Sequence, residues 1–157
     1  MEKIKRVIDK YFDFMDEIDG NSFIDELIPN SMINKAKKPP FEGTRFWTAI
    51  DSTIANNDIQ QLENYFGHKL PDSYISFLKH RHFIELQLGA YSIGFFKNLP
   101  GRLLLDTKQE IENYYENLIK RNFLPFAALS DYGVLCFDAN LNDKNTDYPI
   151  LSFDHED

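Results

Sequence analysis

Hydrophobic residues recur at steps of three and four along the first eighteen positions. This spacing places them on one face of an α-helix of about four turns. The helix is expected to end at Asp19-Gly20-Asn21, where glycine and short polar residues favour a turn. The face consists of Ile4, Val7, Ile8, Tyr11, Phe12, Met15 and Ile18.

The next segment carries weaker patterns. Residues 22–28 are expected to form a short second helix that Pro29 ends, and residues 35–40 read as a basic, proline-broken surface loop. Phe46 and Trp47, followed by Ile50 and Ile54, predict a short helical or irregular segment packed on the core.

Two helices follow with clear end signals. Asp58 and Gln61 have the spacing of a capping box ahead of an apolar face, and Gly67 is a typical helix stop. Leu70-Pro71 is expected to begin the next helix, because proline is tolerated in a first turn. Tyr74, Phe77 and Leu78 are expected to form its buried face.

After His82 the hydrophobic period changes from 3.6 to two, which is typical of strands. The alternation over residues 84–88, Gly89, and the alternation over residues 91–95 predict a β-hairpin. Thr107 and Glu110 then form a second capping-box pattern. It precedes a helix whose apolar stripe is Ile111, Tyr114, Tyr115, Leu118 and Ile119.

The last third predicts strands over residues 124–129, 134–137 and 148–153. Helices gather in the first part of the chain and strands at the end, with connections too short for repeated crossovers. The sequence therefore predicts a single α+β domain with a mainly antiparallel sheet.

Composition agrees with one folded domain. The chain has 157 residues, of which 43% are hydrophobic, enough for a core without disulfides or metal. The N-terminus lacks the apolar stretch of a secretion signal, and no run is long enough to span a bilayer, so a cytoplasmic location is expected. Cys136 is the single cysteine and lies in an apolar strand, which predicts inert core filling.

The charge distribution is uneven. Net charge is -8, and residues 131–157 contain seven acids against one base, Lys144. Such a segment repels nucleic acid and anionic lipid and attracts a basic protein surface. The alternative is that the acids only keep the protein soluble.

Candidate chemical sites are few. A metal site is suggested by His68, His80 and His82, with His155 far from them in the chain. His80 and His82 are two residues apart, which on a helix places them on different faces, and no Cys or carboxylate stands at a zinc-like spacing beside them. Lys79, His80, Arg81 and His82 are better explained as a basic helix end. Asp138, Asp154 and His155 could form an acid/base group, but turn and strand-end acids are the commoner explanation. Trp47 could anchor an interface or pack in the core.

The run from Ile59 to Leu78 resembles the opening motif of the SUKH superfamily of immunity proteins and cell-wall regulators. It contains a capped helix, Gly67, the pair Leu70-Pro71, and a helix with Phe77-Leu78. Residues 123–138 resemble the central strands of that superfamily, and residues 148–156 its closing strand. The resemblance covers residues 45–157 and leaves residues 1–44 as an N-terminal helical extension.

The sequence departs from the superfamily pattern in two places. Many relatives have an Asn-Gly pair where this chain has residues 79–83, so the exit turn of that helix is expected to differ. Relatives also commonly continue into a last helix, whereas this sequence stops at Asp157.

The resemblance implies protein binding and not catalysis, and no motif in the sequence predicts a cofactor or a metal site. Many members are thought to neutralise a toxin domain inside the cytoplasm, and the alternative is a regulatory scaffold for endogenous proteins. The acidic end fits a basic toxin domain. On charge clustering, the expected contacts are Asp131, Tyr132, Asp138, Asp154 and Glu156.

Overall fold

The computed structural model describes residues 2–89, 92–112, 116–130, 133–141 and 147–154. Its helices are α1 (Glu2–Glu17), α2 (Asn56–Phe66), α3 (Asp72–Leu78), α4 (Leu103–Glu112) and α5 (Glu116–Lys120). Its strands are β1 (Ser22–Ile24), β2 (Thr44–Phe46), β3 (Ile50–Asp51), β4 (Arg81–His82), β5 (Gln87–Leu88), β6 (Ile93–Phe95), β7 (Phe123–Leu129), β8 (Gly133–Asp138) and β9 (Ile150–Asp154).

All pairings between the described strands are antiparallel, and the predicted α+β class is confirmed. The main sheet has the strand order β5-β6-β7-β8-β9, and β1-β2 and β3-β4 form two small separate pairs. The register of β7 on β8 shifts between Pro125 and Ala127. This irregularity accommodates Pro125, which has no amide hydrogen for a regular ladder.

Aromatic side chains join α3 to the main sheet. The rings of Phe126 and Phe137 stack with centroids 4.2 Å apart, and the Tyr74 ring lies 5.2 Å from that of Phe137. Burial raises the pKa of the Tyr74 phenol well above its usual value. Cys136 is buried in β8, and burial raises the pKa of its thiol to about 12, as expected of inert core filling.

Helix α1 packs on the same core through part of its apolar face. Ile8 and Phe12 are buried, and the Phe12 ring lies 5.9 Å from Trp47 and 6.0 Å from Phe83. Trp47 is 1% exposed, which confirms core packing and excludes the interface-anchor alternative. Several residues on the other side of the predicted face are exposed, including Val7 at 53%. The apolar face of α1 is therefore wider than the core beneath it.

The predicted second helix is wrong. Residues 22–24 pair with β2 in the register Ser22↔Phe46, and only a short 3-10 turn over Asp25–Leu27 follows. A three-residue strand is too short to show its period, so pairing with a distant segment decides the structure. Residues 35–40 lie in a loop, as predicted.

Both capping predictions misplace a helix start. Helix α2 begins before Asp58, whose carboxylate accepts a hydrogen bond from the Ala55 amide at 2.8 Å, so Asp58 closes the first turn from inside. Helix α4 begins at Leu103, which places Thr107 inside the helix, where it is buried. Gly67 ends α2 with a φ of 74°, as predicted.

The hairpin formed by β5 and β6 confirms the change of period after His82. Tyr91, Tyr114 and Tyr115 lie outside the described residues.

The basic stretch after α3 connects elements and does not serve mainly as a helix end. The Asp9 carboxylate on α1 accepts hydrogen bonds from Arg81 Nε and His80 Nε2, both at 2.9 Å. Arg81 also bonds to Asp51 on β3 at 2.6 Å. Partial burial acts to raise the pKa of Asp9, but the hydrogen bonds and charges of Arg81 and His80 outweigh it and lower the pKa below its usual value.

We expect Asp9→Ala to lower the free energy of unfolding by about 1 kcal/mol, since the pair is partly exposed and screened by solvent. A lowered carboxyl pKa stabilises the fold above its unfolded value, 3.8, and this contribution is lost as the pH falls through the folded value. Urea unfolding followed by Trp47 fluorescence measures both effects. Asp13→Ala, an exposed site on the same helix, is the control. Equal losses in the two variants at neutral pH would contradict the assignment.

Candidate partner-binding surface

Strand β9 lies at one edge of the main sheet. Its inner side pairs with β8 in the register Cys136↔Leu151, and no described residue pairs with its outer side. Ile150 and Leu151 are 57% and 39% exposed. An exposed strand edge with apolar side chains can take another protein segment as an added strand.

At the opposite edge of the sheet, β5 contacts α1. The amide of Gln87 on β5 donates a hydrogen bond to the Tyr11 hydroxyl of α1 at 3.3 Å. The Tyr11 side chain of α1 therefore accepts a hydrogen bond from a backbone amide at that edge. The edge that remains available among the described residues is β9.

An arginine and two aromatic rings lie beside β9. The rings of Phe123 and Phe153 have centroids 4.6 Å apart, and the Arg121 guanidinium lies 5.3 Å and 5.8 Å from them. Arg121 is exposed, and both rings are half-buried. Arginine and large aromatic side chains carry much of the energy in protein interfaces. We call β9 together with Arg121 and Phe123 the β9 surface.

Polar residues fix the loops at this end of the sheet. Asn122 has a φ of 62°, and its Nδ2 donates a hydrogen bond to the Asn140 side-chain Oδ1 at 2.9 Å. Asn140 Nδ2 donates in turn to the Arg121 backbone carbonyl at 3.0 Å. His68 Nε2 bonds to Asn122 Oδ1 at 2.9 Å. These bonds hold the backbone that carries Arg121 and Phe123 in one arrangement.

Asp138 belongs to this network. It was predicted as an exposed partner contact, but it is buried. It is 6% exposed, and its Oδ1 accepts hydrogen bonds from the Asn140 amide and side chain, both at 3.0 Å. The acid at the end of β8 therefore shapes the following turn. A charge count cannot separate such an internal role from an exposed contact.

Of the other four predicted contacts, one lies among the described residues. Asp154 is exposed at the end of β9 and pairs in register with Gly133. Asp131, Tyr132 and Glu156 lie outside the described residues.

The sequence predictions missed Arg121, Phe123 and Phe153. Phe123 and Phe153 read only as strand residues, and Arg121 lies in a helix-to-strand connection with no motif. Their contact depends on the curvature and register of three strands, which local patterns do not specify.

A family model described as SMI1-KNR4 cell-wall, SUKH_6, matches residues 56–157. The chain belongs to the SUKH superfamily. No curated protein matches the sequence. The matched region begins at residue 56, later than the predicted start at 45, and runs from α2 through β9.

SUKH membership supports a protein-binding role of the immunity or SMI1/KNR4 kind. The β9 surface lies within the matched region, whereas α1, β1, β2 and β3 lie outside it. The molecule thus combines a SUKH region that carries the exposed strand edge with a preceding segment that packs on its core.

The described part of the chain contains no group of three or more His, Cys, Asp or Glu side chains arranged to hold a metal ion. His80 and His82 are engaged within the fold, His80 with Asp9 and His82 with Thr53 and Asn98. No described helix has the length and apolar character needed to cross a membrane.

Proposed function

We propose that this SUKH protein is a cytoplasmic immunity protein that binds a basic toxin domain and covers its active site. It acts by binding, and no reaction is assigned to it. The observation that carries the proposal is the exposed β9 surface within a SUKH region whose sequence ends in an acidic segment.

Charge and shape support different parts of this proposal. Residues 131–157 hold seven acids against one base, which favours fast encounter with a basic partner. The exposed edge of β9 and the Arg121 cluster supply directional hydrogen bonds and apolar contact, which favour a long-lived complex. Together these features fit tight, specific inhibition of one partner.

The test is affinity capture with the full chain as bait. Lysates come from the source cells and from a competing strain, and the bound proteins are identified by mass spectrometry at low and high salt. We expect recovery of a toxin domain whose binding weakens as salt rises, because screening reduces charge attraction. Co-expression of that domain with this protein is then expected to restore growth of otherwise poisoned cells.

Substitutions assign the binding to the acidic end. Asp131→Asn with Glu156→Gln is expected to weaken toxin binding about tenfold and to reduce the growth of cells that co-express the toxin domain. The matched control is Asp13→Asn with Glu42→Gln, which removes two exposed acids that precede the SUKH-matched region. Asp138 is left intact because its carboxylate is used inside the fold. Equal effects of both double variants would contradict an acidic contact surface.

A regulatory scaffold is the second candidate, favoured by the cell-wall description of the matching family. It predicts capture of several endogenous proteins, binding that changes little with salt, and no rescue from any toxin domain. That outcome would replace the immunity proposal.

A further inference from the structure

Exposed apolar side chains are concentrated before the SUKH-matched region. Seven of the eleven large hydrophobic residues that are exposed among the described residues lie in the first 41 positions. They are Ile4, Val7, Phe14, Ile18, Ile24, Leu27 and Phe41. Contiguous exposed apolar surface on a soluble protein commonly marks an interface.

Four of these residues lie along one side of α1. Ile4, Val7, Phe14 and Ile18, with the half-buried Tyr11 between them, follow steps of three, four, three and four. The Ile18 amide still bonds to the Phe14 carbonyl at 3.1 Å, so the row continues to the end of the helix. We call these four residues the α1 stripe. Its spacing is that of a helix that packs along a second helix.

The charges of α1 are reversed relative to its macrodipole. Apart from Glu2, the first turns carry Lys3, Lys5 and Arg6, and the last turns carry Asp16 and Glu17. Cations near a helix N-terminus and anions near its C-terminus destabilise an isolated helix. An antiparallel second copy of α1 would offset this cost, because each acidic end would lie beside a basic end.

The residues that flank the stripe fit the same arrangement. Lys3, Lys10 and Glu17 are seven residues apart, exposed, and without an ion pair to another described residue. In an antiparallel pair of helices centred near residue 10, Lys3 of each copy lies opposite Glu17 of the other. We propose that the α1 stripe is the interface of a homodimer in which two α1 helices pack antiparallel.

Sedimentation equilibrium of the full chain over a wide concentration range tests the dimer. We expect a monomer–dimer equilibrium whose dissociation constant rises about 30-fold or more in Phe14→Glu. Leu105→Glu, which replaces an equally exposed residue on α4, is the matched control and is expected to leave the equilibrium unchanged. Circular dichroism confirms that both variants fold.

Charge reversal tests the antiparallel orientation. Glu17→Lys makes the flanking row entirely basic and is expected to weaken the dimer. Adding Lys3→Glu and Lys10→Glu inverts the row and is expected to restore the dimer. A monomer at every concentration, or a dimer indifferent to Phe14→Glu, would overturn the proposal.

The stripe could instead contact the toxin domain. In that case the chain stays monomeric and Phe14→Glu weakens toxin binding, an outcome that also overturns the homodimer. Failure of toxin capture or rescue has no bearing on the sedimentation result, so the two proposals are tested separately.

Discussion

Replacing Trp47 by alanine is expected to lower the free energy of unfolding by about 4 kcal/mol. Trp47 is 1% exposed and meets the Phe12 ring edge-to-face at 5.9 Å. Alanine would leave a large cavity between α1 and the SUKH region, because the surrounding backbone is held by strand pairing on both sides of the residue. Guanidinium unfolding followed by far-ultraviolet circular dichroism measures the loss.

The control for this prediction is Trp47→Phe. No described residue accepts a hydrogen bond from the buried Trp47 indole nitrogen, so phenylalanine removes an unsatisfied donor while it keeps an aromatic ring beside Phe12. We expect a loss of about 1 kcal/mol. A loss in Trp47→Phe as large as in Trp47→Ala would indicate that the indole nitrogen, and not the packed ring, stabilises this layer.

Packing of this kind shows which parts of the fold the sequence could predict. The long periodic segments, α1 and the strands β7, β8 and β9, were predicted because many residues repeat the same pattern. The strand β1 was predicted as a helix because three residues carry no period, and its structure depends on β2, twenty residues later in the chain. The starts of α2 and α4 were misplaced because side-chain caps compete with tertiary packing.

The candidate site also has features that the sequence could predict and features that depend on tertiary contacts. The family resemblance was predicted from residues 59–78 and is confirmed by the match over residues 56–157. The acidic end was visible as a charge count, but the burial of Asp138 depends on its bonds to Asn140. The approach of Arg121 to Phe123 and Phe153 depends on the geometry of the whole sheet. Contacts between distant segments therefore limit what local patterns can predict.

The helix α1 was predicted as amphipathic, and in the structure its apolar face is only partly buried. Its apolar face spans both the buried Phe12 and the exposed Phe14, so one pattern serves two surfaces. A helix that only covered a core would need a narrower stripe. The homodimer proposal rests on the apolar side chains of α1 that the core leaves exposed.

Asn98→Ala is expected to lower the free energy of unfolding by about 3 kcal/mol. Asn98 is fully buried, and its Nδ2 donates hydrogen bonds to the backbone carbonyls of Leu78 at 2.9 Å and Arg81 at 2.8 Å. These bonds close the exit turn of α3, where many SUKH relatives have an Asn-Gly pair. Alanine removes the Asn98 donor from the Arg81 carbonyl and leaves the Leu78 carbonyl with the Ser52 hydroxyl, at 2.9 Å, as its side-chain donor. Asn98→Asp keeps the shape but also removes both donors, so it is expected to cost at least as much.

The same network fixes the charge state of His82. The Thr53 amide can only donate, and it lies 2.9 Å from His82 Nε2, so the ring proton is on Nδ1, which faces Asn98 Oδ1 at 3.2 Å. Burial lowers the pKa of His82 below its usual value of 6.5, against the opposing hydrogen bonds of Asn98. Protonation would place a second donor against the Thr53 amide.

The pH dependence of stability follows from this lowered pKa. Below about pH 6.5 His82 binds a proton in the unfolded chain but not in the folded protein. The free energy of unfolding therefore falls as the pH drops toward the folded pKa of His82. His82→Gln is less stable at neutral pH but lacks this titration. We therefore expect the loss of unfolding free energy between pH 7 and pH 5 to be smaller in His82→Gln than in the unsubstituted protein. Equal losses would show that the pKa of His82 does not differ between the folded and unfolded chain and that other groups cause the pH dependence.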